Sequence, residues 1–171
     1  MQSLLFKEMA ESNSFKDCSE TTATLLHGLY SLGGAKEFRV LLISHEMKQI
    51  AGGPLMKTVL TPASNARGQY QWNYHLVLEY KGWIIDSFLR EAKPLRAVDY
   101  LKRYFPSSDK NPKRWSRLML TTFSSFSVMK KYLRLREKNT ENIGPELAKK
   151  LLQKSSQHKY ISAEDFLASH R

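Results

Sequence analysis

The 171-residue sequence predicts an α+β domain in which an N-terminal helix packs on an antiparallel sheet and further helices follow toward the C-terminal end. Three stretches predict it. Cys18, Thr22, Leu25, Leu26 and Leu29 recur at the spacing of one helical face, and Gly33-Gly34 then supplies a helix stop. Gln71 to Phe88 holds two runs of aromatic and β-branched residues around Lys81-Gly82, the pattern of two paired strands joined by a tight turn. Pro145 at the first turn of Glu146–Lys154, and Ser162-Ala163-Glu164-Asp165 ahead of Phe166 and Leu167, are helix starts.

The elements in chain order complete the plan. Leu4, Leu5, Phe6 and Met9 make a short amphipathic piece, after which Asp17 is the expected N-cap and Cys18 falls in the first turn of the helix. Phe38–Ser44 reads as a buried strand beside the hairpin. Residues 45–69 form a long connection, with a short strand expected in Leu55–Leu60, and long loops in compact domains often border a functional groove. Leu95 to Phe105 is expected as a helix stopped by Pro106, with Leu95, Val98, Leu101 and Phe105 facing inward. Trp115, Leu118, Leu120, Phe123, Phe126 and Val128 suggest one or two strands through Met129. Lys130 to Arg136 interleaves charged and apolar residues and is expected as an edge strand guarded by its charges, in preference to a nucleic-acid contact with stacking from Tyr132.

Composition bounds the function. An apolar share of 42%, with 8 Phe, 8 Tyr and 3 Trp, fits a folded globular chain and argues against disorder. The length suits a single domain, with a core at about 14–130 and a basic helical extension at about 131–171. One cysteine forms no internal disulfide, which points to a reducing compartment, the cytoplasm. No apolar run approaches the roughly 18 residues of a membrane span, and Met1–Phe6 is too short for a signal peptide. Of the net charge of +11, +10 falls in residues 101–171, where 16 Lys and Arg meet 6 Asp and Glu. That excess suits an acidic protein or another anionic surface, or it is a solvated face that keeps the chain in solution; nucleic acid is the less expected partner. His27, His45, His158 and His170 have no metal-ligand spacing, so neither metal nor cofactor is assigned.

The hairpin carries a candidate catalytic pair. With Lys81 and Gly82 as the loop, Tyr80 faces Trp83 and Val77 faces Asp86, so His75 lies diagonally beside Asp86 on one sheet face. A Tyr80-Lys81 loop would set the two directly opposite, and a three-residue loop would put them on opposite faces unless a bulge restored the parity. A carboxylate on one imidazole nitrogen fixes the tautomer and frees the other nitrogen to serve a nucleophile. Cys18 supplies one: a helix N-terminus favours negative charge, and a thiolate there is reactive at neutral pH. The competing reading is a structural histidine with a small buried cysteine. A lone Cys followed in the chain by a His and an Asp is, however, the pattern of a thiol nucleophile assembled by folding.

Cys18, Trp72-Asn73-Tyr74-His75 and Ile84-Ile85-Asp86 together resemble the protein-glutaminase and N-terminal-glutamine amidohydrolase group of the papain-like, transglutaminase-like superfamily, over roughly residues 14–90. The resemblance implies a fold with a catalytic helix on an antiparallel sheet and a Cys18-His75-Asp86 triad that converts a protein glutamine to glutamate and ammonia through a thioester. It implies Cys18 as nucleophile, His75 as general base and acid, and Asp86 as orienter. The backbone N–H of Cys18 is then part of an oxyanion hole, with Asn13 a candidate side-chain donor and Trp72, Asn73 and Tyr74 candidates for the substrate groove. Secreted protein glutaminases carry disulfides and a pro-segment, which this sequence is not expected to have. Small bacterial effectors that deamidate one host protein are similar in size and also lack disulfides, so delivery into a host cell is a further expectation. A cysteine peptidase or acyl transferase would use the same triad. A non-catalytic basic module that binds nucleic acid or an acidic protein is the alternative from another class.

Overall fold

The computed structural model describes residues 18–45, 74–86, 93–105, 118–138, 141, 143–155 and 161–170. Its α1, Cys18–Ser31, leads through a single 3₁₀ turn at Ala35–Glu37 into β1, Arg39–His45. The hairpin is β2, His75–Tyr80, and β3, Trp83–Ile85. β4, Leu95–Arg96, precedes α2, Ala97–Tyr104; β5, Leu118–Ser124, precedes α3, Ser125–Glu137; α4 spans Ile143–Ser155; β6, Ile161–Ser162, precedes α5, Ala163–Ala168. The strands form one antiparallel sheet in the order β4-β3-β2-β1-β5-β6. The protein is therefore α+β, as its patterning requires.

Strand alternation gives the sheet two apolar faces, and helices cover both. Val40, Leu42, Leu76, Leu78, Ile85 and Phe123 pack with Leu25, Leu26 and Leu29 of α1, Val128, Met129 and Tyr132 of α3, and Leu147 and Leu151 of α4. On the other face Leu41, Ile43, Val77, Ile84, Leu118 and Leu120 pack with Tyr100, Leu101 and Tyr104 of α2 and Phe166 of α5. β2 is accordingly buried along nearly its whole length. Each fully buried large aliphatic side chain contributes about 2 kcal/mol, so both layers matter to stability.

The hairpin turns at Lys81-Gly82, both with positive φ, 47° and 82°, so that Tyr80 pairs with Trp83 and Leu78 with Ile85. This is the two-residue turn whose twist matches that of the strands. The turn is tied down by Glu79, whose buried carboxylate accepts from the Gly82 N–H at 2.7 Å and from Arg39 Nε at 2.6 Å. Burial raises the Glu79 pKa, but the Arg39 guanidinium, the Gly82 N–H and the nearby His170 outweigh it and leave the carboxyl below its ordinary value. His170, just past α5, reaches both Glu79 and Arg39, which fastens the C-terminal helix to the hairpin. Ser162 caps α5 as expected, its Oγ accepting from the Asp165 N–H at 3.0 Å.

Two expectations fail for physical reasons. Lys130–Arg136 is helical, because Ser124 caps the segment by accepting from the Ser127 N–H and because Val128, Met129, Tyr132 and Leu135 bury one helical stripe. The strand expected through Met129 thus ends at Ser124, which leaves Phe126 68% exposed. Leu95 and Arg96 are not helical but pair with Ile84 and Trp83, since β3 offers an open edge to the chain. Val98 is exposed, and the inward face of α2 is Ala97, Tyr100, Leu101 and Tyr104. The N-terminal amphipathic piece, the Asp17 cap, the Leu55–Leu60 strand and Trp115 lie outside the described residues.

Candidate active site

Three local features converge at one end of the sheet. Cys18 is the first residue of α1, so its backbone N–H is among those that no intrahelical carbonyl satisfies. The Thr22 hydroxyl, one turn on, donates to the Leu76 carbonyl at 2.9 Å, and the Ser19 hydroxyl donates to the Tyr74 hydroxyl at 3.3 Å. These two bonds lay the first turn of α1 along the start of β2, where His75 is the first strand residue. Cys18, His75 and Asp86 are all buried, at 6%, 0% and 3% exposure.

His75 Nε2 lies 2.7 Å from Asp86 Oδ2. A carboxylate only accepts, so Nε2 carries the proton and Nδ1 is the nitrogen left for Cys18. Burial pulls the His75 pKa down, but the charge and hydrogen bond of Asp86, reinforced by those of Cys18, raise it to about 10. The imidazole is therefore positively charged at neutral pH, between a carboxylate and a sulfur. Asp86 Oδ2 also accepts from the Tyr100 hydroxyl at 2.6 Å. Tyr100 comes from α2 on the far face of the sheet, so the chain of polar groups runs from a helix on one face, through the hairpin, to a helix on the other.

Folding thus brings Cys18, His75 and Asp86 together, with Tyr74 half-buried beside the first turn of α1. Asn13, Trp72 and Asn73 lie outside the described residues. Sequence reasoning passed over Tyr100. The available signal was a tyrosine on the buried stripe of a helix, since a buried phenol needs a hydrogen-bond partner and a carboxylate on the adjacent strand is one. Among the described residues no group of three or more His, Cys, Asp or Glu side chains is placed to hold a metal ion. No protein-family model matches the chain, and no curated protein matches it. Among the described residues no helix is long and apolar enough to cross a membrane.

Proposed function

We propose that the protein is a papain-like, transglutaminase-like thiol amidohydrolase that deamidates a glutamine side chain of a protein substrate. The observation that carries this reading is the buried Cys18-His75-Asp86 arrangement, with the cysteine opening a helix and the imidazole held charged beside it. The Cys18 thiolate attacks the side-chain carbonyl carbon, and the oxyanion that forms is met by the Cys18 backbone N–H at the helix start. His75 passes its Nδ1 proton to the amide nitrogen; the C–N bond breaks, ammonia leaves, and a thioester remains. Neutral His75 then takes a proton from water, the hydroxide attacks the thioester, and the sulfur departs as glutamate is released. The product carboxyl gives its proton to solvent, and the Cys18 thiolate beside the imidazolium formed from water is the starting pair, so the cycle closes.

The near-complete burial of Cys18 suits a slim side-chain amide better than a bulky main-chain amide, which favours deamidation over proteolysis. A reducing compartment, whether the protein's own cytoplasm or that of a host cell entered as an effector, suits a free catalytic thiol. The test is ammonia release from a glutamine-rich protein, with intact-mass analysis of the substrate, for wild type and Cys18→Ala. A gain of about one dalton per site with matching ammonia, absent in the variant, is expected. Backbone fragments would identify a peptidase and amine incorporation an acyl transferase. A wild-type Cys18 as inert toward iodoacetamide as that of a His75→Ala variant would sink the thiol-enzyme reading altogether.

A further inference from the structure

The basic surface of the C-terminal half is organised by α3 and α4, which together carry seven cations against two carboxylates, Glu137 and Glu146. On α3, Lys130 lies four residues past Phe126, and Leu133 and Arg134 lie three and four residues past Lys130, so they form one continuous stripe, and all four are exposed. Phe126 and Leu133 are 68% and 38% exposed, two apolar side chains roughly 10 Å apart on the helix that bracket Lys130. On the neighbouring flank Lys131 stands close to Lys150 and Lys154 of α4 as well as to Arg134. Burial first, and then those three cations, hold the Lys131 ammonium below its ordinary pKa. Among the described residues no carboxylate forms an ion pair with Lys130, Lys131, Arg134 or Lys150.

Concentrating like charge costs free energy unless a partner repays it. Setting large apolar side chains among the charges adds a second requirement, a partner that is anionic at its surface and apolar just beneath. A soluble polyanion meets only the first, because an exposed leucine contributes nothing against phosphates or carboxylates. From this juxtaposition we propose that the α3–α4 face docks on an anionic lipid surface, with Lys130, Lys131, Arg134, Lys150 and Lys154 at the headgroups and Phe126 and Leu133 entering the acyl boundary. This is peripheral attachment by a side of the fold, and it does not depend on the proposed chemistry at Cys18.

The experiment is co-sedimentation of the full chain with phosphatidylcholine vesicles, with and without phosphatidylserine, at low and at physiological salt. Binding only to the phosphatidylserine vesicles is expected, weakening as salt screens the charges. Neutralising Lys130 and Lys150 together (Lys130→Gln, Lys150→Gln) should weaken it roughly 25-fold, about fivefold per cation. Phe126→Ser should spare binding at low salt and reduce it at physiological salt, because it removes insertion and leaves attraction. These side chains are exposed, so unchanged melting curves will show that each variant is folded. Cys18→Ala should bind vesicles like wild type. Failure to bind phosphatidylserine vesicles, or binding indifferent to these substitutions, overturns the proposal. Retention on DNA or polyglutamate without vesicle binding overturns it too and assigns the face to a soluble polyanion.

Discussion

His75 and Asp86 sit diagonally across the β2–β3 hairpin, yet their side chains meet at 2.7 Å. The two-residue Lys81-Gly82 turn is what makes this possible: one residue more in the loop would move Asp86 to the other sheet face. The consequence is electrostatic. An imidazole with no exposure keeps a positive charge chiefly because a carboxylate is held against it, with Cys18 as the lesser support.

That dependence has a pH signature. The His75 pKa lies near 10 in the folded protein against 6.5 for the free side chain, so its contribution to stability is fully present below pH 6.5 and fades as pH rises through about 10. A nuclear magnetic resonance titration should find the His75 ring protonated throughout the neutral range. In Asp86→Asn desolvation is left without its main opponent, so the ring should be neutral at pH 7 and Cys18 should alkylate at least about tenfold more slowly. A ring that stays charged in that variant would contradict the assignment of Asp86 as the dominant partner.

Tyr100 is expected to position Asp86. Tyr100→Phe keeps the ring packing against Tyr104 and Phe105 but removes the hydroxyl that donates to Asp86 Oδ2. A loss of about 2 kcal/mol in urea unfolding is expected, since a buried carboxylate loses one of its donors. In the glutamine assay kcat should fall while KM holds, which loss of packing alone would not produce.

The turn should respond oppositely at its two positions. Gly82→Ala places a Cβ on a residue with φ of +82°, 3.4 Å from the His170 ring, and should cost about 1–2 kcal/mol. Lys81, with φ of 47°, is the less suited residue in this turn, and Lys81→Asn should gain about 0.5 kcal/mol. Paired thermal melts decide this; a Gly82→Ala protein as stable as wild type would mean that another turn geometry is accessible.

Much of this was legible in the residues because it is local. Gly82 marks the turn, Gly33-Gly34 ends α1, Ser162 caps α5, and the helical spacing from Cys18 to Leu29 states which face is buried. The run Lys130–Arg136 was not legible, because alternating charged and apolar residues satisfy a strand over seven positions, and only the Ser124 cap and the waiting faces of α1 and α4 select a helix. Leu95-Arg96 likewise has no strand signal of its own; the open edge of β3 recruits it.

The sequence by itself determined the α+β plan and the hairpin, since turn chemistry and side-chain period act between residues close in the chain; among the registers it left open, the structure has the two-residue Lys81-Gly82 turn that pairs His75 with Asp86. The tertiary structure alone decided that the first turn of α1 arrives at His75 and that Tyr100 reaches Asp86 from the opposite face of the sheet. Those contacts join residues 57 and 14 positions apart, Cys18 to His75 and Asp86 to Tyr100. They rest on how two helix layers bury apolar stripes against one sheet, a packing outcome that no local pattern encodes.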